Sequence, residues 1–185
     1  MEVVLAILRG INVSGHKTIK MAELKTLLEE AGLNKVTTYI QSGNIVFQNN
    51  HVPAAELSQF INRKIKERYN FEVPVITRTV AEINDLLNQN LWANEESLDR
   101  EKLHVTFLAE IPAPEYLNKI DATLYEPDKF MVRGKEIFLF CPNGYGNTKL
   151  TNTFLEKKLK LTATTRNWRT VNELFRIMKT YGPAA

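Results

Sequence analysis

The sequence predicts an α+β fold with two tandem ferredoxin-like (βαββαβ) units and an additional C-terminal helix. Short β-branched segments alternate with segments whose apolar residues recur every three or four positions, and this order of elements occurs twice. The halves share no residue identity beyond chance, so the repeat lies in the order of elements. We predict a first unit over 1–78, a connecting helix and acidic linker over 79–102, and a second unit with the C-terminal helix over 103–185.

The first unit is predicted from one apolar run, one turn and two amphipathic segments. Met21, Leu24, Leu27 and Leu28 form a helical stripe that should be buried. Gly43 permits the positive φ that a tight turn between two strands requires. The predicted elements are a strand over 3–8, a helix from residue 21, strands over 36–40 and 44–48, a helix from residue 53 and a strand over 73–77.

Two capping-box patterns mark predicted helix starts in the rest of the chain. Thr79 with Glu82 begins the connecting helix, and Thr170 with Glu173 begins the C-terminal helix. We expect the C-terminal helix to bury Val171, Leu174 and Met178. The other predicted elements are a strand over 103–108, a helix over 112–120, a hairpin of strands 129–132 and 136–140, a helix over 149–159 and a strand over 162–165.

The composition excludes several classes of protein. Cys141 is the only cysteine, so no internal disulfide can form, and the three histidines show no metal-ligand spacing. We therefore expect no metal and no cofactor. The longest apolar run, 3–8, is far shorter than the roughly 20 residues of a membrane-spanning helix. We expect a cytoplasmic protein without membrane contact.

The distribution of charge is uneven although the net charge is only +3. Residues 129–185 contain 11 Lys and Arg against 3 Asp and Glu, whereas 79–102 contain 6 acids against 2 bases. A basic segment of this kind indicates either a solvated surface or a site that attracts phosphate or nucleic acid.

Polar residues are concentrated in two connections of the first unit. Right-handed βαβ connections make the first two strands parallel, so the loop after the first strand and the turn after the second should emerge together. The candidate ligand-binding residues there are Arg9, Asn12, Lys17, Gln41, Ser42 and Asn44. They would either form a pocket for an anionic or polar ligand or satisfy loop backbone groups.

A second candidate site is predicted where the last two strands of the second unit end. We expect the arginines there to stand just before the C-terminal helix, whose N–H groups and dipole favour an anion. The candidate residues are Lys149, Arg166, Asn167, Trp168 and Arg169. Alternatively, Trp168 belongs to the core and the arginines pair with acids such as Glu173.

Four stretches resemble a bacterial family catalogued as domain of unknown function 1697. They are Leu8-Arg9-Gly10-Ile11-Asn12-Val13, Met21-Ala22-Glu23-Leu24, Thr38-Tyr39-Ile40-Gln41-Ser42-Gly43-Asn44-Ile45-Val46-Phe47 and Thr164-Thr165-Arg166-Asn167-Trp168. The resemblance implies two α+β subdomains, in agreement with the elements above, and a role for the same Arg, Asn, Gln and Trp positions. The family has no established activity, so it implies no catalytic residue.

Three functions remain open at this stage. The first is a binding module for nucleic acid or another phosphate-bearing ligand, which the basic segment and the polar loops favour. The second is a small enzyme with a loop site lined by Arg, Asn and Gln. Against it, no nucleophilic side chain has a base beside it, and neither polar loop of the second unit has the Walker pattern of nucleotide hydrolases. The third is a structural or interaction protein, which would expose an apolar surface.

Overall fold

The computed structural model describes residues 1–182 and divides into two compact units. Of the described residues, unit 1 contains Met1–Asn84 together with residues 174–182, and unit 2 contains Asp85–Glu173. Both units combine helices with an antiparallel sheet, which confirms the predicted α+β class. Within the described chain, each helix is too short or too polar to cross a membrane.

Unit 1 has a four-stranded sheet in the order β2-β3-β1-β4, and every neighbouring pair is antiparallel. Ile7 pairs with Asn44 and Leu8 pairs with Val75, so the end of β1 lies between the start of β3 and the start of β4. The elements are β1 (Glu2–Leu8), α1 (Met21–Glu30), β2 (Asn34–Tyr39), β3 (Asn44–Asn49), α2 (Leu57–Tyr69) and β4 (Val75–Thr79).

The core of unit 1 lies between one face of this sheet and the helices α1 and α2. The β1 residues that alternate toward this face are buried with Leu24 and Leu28 of α1 and Ile61 of α2. The predicted helical stripe is confirmed at Met21, Leu24 and Leu28, but Leu27 is only partly buried. The buried stripe continues from Leu24 to Leu28, one turn later, and Leu27 lies at its margin.

Unit 2 has a second four-stranded sheet, in the order β6-β7-β5-β8, again with antiparallel neighbours. Its apolar core includes Leu139, Leu150 and Leu155. The remaining elements of the chain are α3 (Val80–Gln89), β5 (Leu103–Leu108), α4 (Pro114–Leu117), β6 (Lys129–Arg133), β7 (Glu136–Phe140), α5 (Asn152–Leu159), β8 (Ala163–Asn167) and α6 (Trp168–Lys179). The predicted burial of Val171, Leu174 and Met178 in α6 is confirmed, but Leu174 and Met178 group with unit 1 and not with the second unit, where we predicted them.

One of the two predicted capping boxes is confirmed and the other is wrong. The Thr79 N–H donates to Glu82 Oε2 at 2.8 Å, and the Glu82 N–H donates to Thr79 Oγ1 at 3.2 Å. By contrast, α6 begins at Trp168, because the Thr170 N–H donates to Asn167 Oδ1 at 2.7 Å. Asparagine is at least as good an N-cap as threonine, so the earlier residue starts the helix.

The two units also share particular residues at equivalent positions. Arg78 pairs with Leu5 in the unit 1 sheet, and Arg166 pairs with Val105 in the unit 2 sheet. Each arginine follows a threonine, and each Nη1 donates to the carbonyl oxygen of that threonine. Arg78 is 2% exposed and Arg166 is 8% exposed. The repeat therefore includes a buried arginine in the last strand of each unit. The sequences of the two halves alone do not reveal this shared residue.

The end of the described chain is attached to the β2 and β3 strands of unit 1. The Tyr181 hydroxyl donates to the Lys35 carbonyl oxygen at 2.7 Å and contacts Thr37 Oγ1. Gln48 Nε2 donates to the Tyr181 carbonyl oxygen at 3.3 Å. These contacts explain why the chain from Leu174 onward groups with unit 1, whereas the predicted range 103–185 placed it with the second unit.

Candidate functional site

The loop after β1 and the turn after β2 lie at the same end of the unit 1 sheet. The Leu8 N–H donates to the Gly43 carbonyl oxygen at 2.8 Å, and Ile7 pairs with Asn44. The predicted meeting of these two connections is therefore correct. We call residues 9–20 and 40–44 together the loop–turn surface.

Asn12 joins the two parts of the loop–turn surface. Its Nδ2 donates to the carbonyl oxygens of Gln41, at 2.8 Å, and Ile19, at 3.0 Å. Its Oδ1 accepts the Ile19 N–H at 2.8 Å. The amide of Asn12 thus satisfies loop backbone groups, and Asn12 acts as a positioning residue for the surface.

Three more of the predicted site residues also make internal contacts. Asn44 is fully buried, and its Nδ2 donates to the Tyr39 carbonyl oxygen and to Ser42 Oγ, both at 3.0 Å. Lys17 Nζ donates to the Glu72 carbonyl oxygen at 2.7 Å. These bonds hold the turn closed and fix the loop against the segment that precedes β4.

The outer face of the loop–turn surface combines positive charge with exposed apolar side chains. Residues 9–20 contain Arg9, Lys17 and Lys20 and no acid, and the turn residues 40–44 carry no charge. Val13, which follows Asn12, is 58% exposed, and Ile40, which precedes Gln41, is 49% exposed. The two apolar residues are thus next to the hydrogen bond that joins Asn12 to Gln41. Neither apolar residue was among the predicted site residues, although an apolar residue beside polar turn residues is a signal that could have identified them.

The loop–turn surface also concentrates unusual backbone conformations. Of the seven non-glycine residues with left-handed φ in residues 1–182, four lie here: Asn12, Ser14, Lys17 and Ile40. For Ile40, a β-branched residue at φ +50°, this conformation is a true outlier. Strained backbone of this kind is concentrated at binding and catalytic sites.

The second predicted site does not come together as expected. β7 and β8 do end at the same edge of their sheet, since Phe140 pairs with Leu103 and Asn167 pairs with His104. However, Arg166 is buried, and its Nη1 donates to Thr164 Oγ1 and to the Thr165 carbonyl oxygen, both at 2.9 Å. The expectation that both arginines offer an anion site before the C-terminal helix is therefore wrong for Arg166, because this residue belongs to β8 and its guanidinium is bonded to threonine groups of the same strand.

The other residues of that predicted site have separate positions. Asn167 caps α6, Trp168 is 8% exposed, and only Arg169 and Lys149 are exposed cations. The structure thus supports the core position considered for Trp168. Replacing Arg166 would change the interior of the sheet rather than an exposed anion site.

Unit 2 instead contains a polar cluster that the sequence analysis did not identify. The rings of His104 and Tyr145 stack at 5.0 Å between centroids. The Tyr145 hydroxyl donates to Thr165 Oγ1 at 3.0 Å, and Thr165 Oγ1 donates to Asn152 Oδ1 at 2.6 Å. Strand alternation places His104 and Thr165 on one face of the sheet, and that pattern is the signal from which the cluster could have been predicted.

We expect the melting temperature of the protein to fall more steeply with decreasing pH than that of a His104→Gln variant. Burial lowers the pKa of His104 below its usual value, against the opposing effect of its hydrogen bond to the Lys102 carbonyl oxygen. The unfolded chain then binds a proton more readily than the folded protein, so stability is complete above pH of about 6.5 and decreases as the pH falls toward the lowered pKa. Calorimetric melting from pH of about 7.5 to about 5 measures this; parallel profiles for the two proteins would contradict it.

The lone cysteine does not have the properties of a nucleophile. Cys141 is fully buried, and burial together with the Asp128 carboxylate raises the pKa of its thiol to about 11. The thiolate is the reactive form, so this thiol is unreactive near neutral pH. In the described residues, no three His, Cys, Asp or Glu side chains form a group that could hold a metal ion.

Comparisons with known proteins agree with this architecture. A family model described as "Protein of unknown function (DUF1697)" matches residues 1–138. Among solved structures, the chain is similar to the conserved bacterial protein SP0830 from Streptococcus pneumoniae, with 23% identity and a TM-score of 0.76. That match covers 97% of this chain and 99% of the other, and at this identity it shows a shared fold alone. No curated protein matches the sequence significantly.

Proposed function

The chain belongs to the DUF1697 family, and we propose that it binds single-stranded nucleic acid through the loop–turn surface of unit 1. The observation that carries this proposal is the presence of three cations and no acid on residues 9–20, which the bonds of Asn12 hold in place. Phosphate contacts supply most of the affinity in nonspecific nucleic-acid binding, and a fixed surface loses less entropy when it binds.

The neighbours of these cations are compatible with phosphate binding. Lys20 pairs with Glu23 at 3.2 Å, but the lysine side chain is 80% exposed and such surface pairs are weak. Lys17 lies near Glu72, whose carboxylate is already bound by Lys66 Nζ at 2.6 Å. A phosphate group can therefore approach Lys17 and Lys20 without displacing a buried ion pair.

The exposed uncharged side chains favour a single strand over a duplex. Val13 and Ile40 offer apolar contacts, and the exposed Gln41 amide offers one donor and one acceptor to a base edge. Bases in a single strand are accessible to such side chains, whereas the deep major groove of double-stranded RNA is not. Ile40 is 49% exposed, so a base can reach this apolar side chain.

The test measures the affinity of a fluorescent single-stranded RNA of mixed sequence at several salt concentrations. We expect Lys17→Ala with Lys20→Ala to weaken binding and to lower the slope of log affinity against log salt by about 1.4, since each phosphate contact to a single strand contributes about 0.7. The matched control is Lys129→Ala with Lys157→Ala, which removes the same charge from exposed positions of unit 2.

Three results would count against the proposal. They are an absence of RNA binding by the parent protein, equal affinities for the parent and the loop variant, and equal losses in the loop variant and the control. A duplex of the same sequence and a nucleoside triphosphate serve as competitors. Displacement by the triphosphate alone at low concentration would identify a small phosphate-bearing molecule as the ligand instead.

We also propose that each unit has the ferredoxin-like topology and that the protein acts in the cytoplasm. The topology is supported by the strand orders β2-β3-β1-β4 and β6-β7-β5-β8, with the helices inserted in the order βαββαβ. The location is supported by the single, buried and unpaired cysteine. Recovery of the tagged protein mainly from the membrane or extracellular fraction of cells would contradict the proposed location.

A further inference from the structure

A small cavity lies in unit 1 near the start of β2, at the opposite end of that strand from Ile40. Its volume is about 240 Å³, below the usual range for drug-sized ligands. It is lined by Lys25 and Glu29 of α1, Lys35 and Thr37 of β2, and Thr180 and Tyr181 of the C-terminal segment. We call this cavity the lysine notch.

Lys35 has an unusual backbone at the edge of the lysine notch. It adopts φ +50°, and the pairing of β2 with β3 shifts register between Asn34 and Thr37. A bulge of this kind redirects a side chain, and lysine is not a residue that favours the left-handed region. Glycine or asparagine would fit this conformation with less strain.

The positive charge of the lysine notch suits a small anion. No ion pair or hydrogen bond involves the Lys35 ammonium within residues 1–182, and Lys25 has only a long contact of 3.9 Å with Glu29. Burial raises the pKa of Tyr181, so this hydroxyl stays protonated and keeps its bond to the Lys35 carbonyl oxygen. The C-terminal segment thereby fixes the wall of the cavity beside Lys35.

We propose that the lysine notch binds a phosphate group, as the free ion or on a small phosphorylated molecule, between the ammonium groups of Lys25 and Lys35. Lysine is a regular phosphate ligand that acts as a point charge, and two ammonium groups outweigh the single carboxylate of Glu29. Thr37 also lines the notch, but its hydroxyl contacts the Tyr181 hydroxyl, so the two ammonium groups supply the phosphate contacts. This site is separate from the loop–turn surface, and it does not depend on nucleic-acid binding.

The test is an amide NMR titration with inorganic phosphate, and then with phenyl phosphate, at constant ionic strength. We expect saturable shifts of the signals of residues 35–37 and 180–181, and a roughly tenfold weaker affinity for Lys35→Met, the loss typical of one charge-assisted contact. Lys157→Met, which removes an exposed lysine of unit 2, should leave the affinity unchanged. Tighter binding of phenyl phosphate than of the free ion would identify a phosphorylated molecule as the ligand, and the reverse order would identify the free ion.

A second variant distinguishes the effect of the Lys35 ammonium group on phosphate affinity from the effect of the backbone conformation on stability. Lys35→Gly relieves the left-handed conformation, so it should fold with an equal or higher melting temperature while losing phosphate affinity. Shifts that do not saturate, or equal affinities in the parent, Lys35→Met and Lys35→Gly, would overturn the proposal. Loss of phosphate binding in Lys17→Ala with Lys20→Ala would also overturn it, because it would place the phosphate on the loop–turn surface.

Discussion

Gly43→Ala is expected to destabilise the protein by about 2–5 kcal/mol, through backbone strain and overpacking together. Gly43 has φ +80°, where an alanine costs about 1–2 kcal/mol. A Cβ at this position would also lie 2.7 Å from Leu8 Cβ and 2.8 Å from Ile11 Cδ1. Leu8 is a fully buried residue of β1, and its Cβ cannot move without the strand.

Gly10→Ala is the matched control for this prediction. Gly10 has φ +72°, but a Cβ there would meet no atom within 4 Å. The Gly10→Ala variant should therefore be destabilised by backbone strain alone, by about 1–2 kcal/mol. Urea unfolding followed by far-UV circular dichroism, which reports on the helices and strands of the chain, measures both losses. Equal losses in the two variants would show that the contacts of Gly43 with Leu8 and Ile11 do not determine the turn.

Leu24→Ala is expected to cost about 2–5 kcal/mol, as the truncation of a fully buried leucine in the core of unit 1. Leu27→Ala, three positions later on the same helix, should cost about 1 kcal/mol, because its side chain is only partly buried. The comparison keeps the substitution and the helix constant, so it isolates burial. Equal costs for the two variants would contradict the position of α1 on the sheet.

The elements of the fold could be predicted from the sequence because they depend on local pattern. The spacing of Met21, Leu24 and Leu28 identified the face of α1 that the structure buries. Thr79 and Glu82 identified the start of α3, since both partners of that capping box lie within one turn. The meeting of the β1 loop with the β2–β3 turn followed from the handedness of one connection.

The predictions that the structure corrected concern features that depend on residues distant in sequence, or on a choice between two similar residues. Asn167 and Thr170 both favour a helix N-terminus, and the sequence does not show which of them caps the helix. The burial of Arg166 requires knowledge of which strand residue faces which side of the sheet. For Asn12 the sequence left open a ligand contact or a bond to loop backbone; its amide donates to the Gln41 carbonyl oxygen, and a sequence pattern does not identify a partner 29 positions away.

The location of bound nucleic acid tests the central claim most directly. A single-stranded RNA of mixed sequence that contains 4-thiouridine is crosslinked to the parent protein by light, and the modified residues are identified by mass spectrometry. We predict crosslinks within residues 9–20 and 40–44, with Val13, Ile40 or Gln41 among the modified side chains, because these are exposed beside the cations. An absence of crosslinks, or crosslinks confined to other parts of the chain, would contradict the claim.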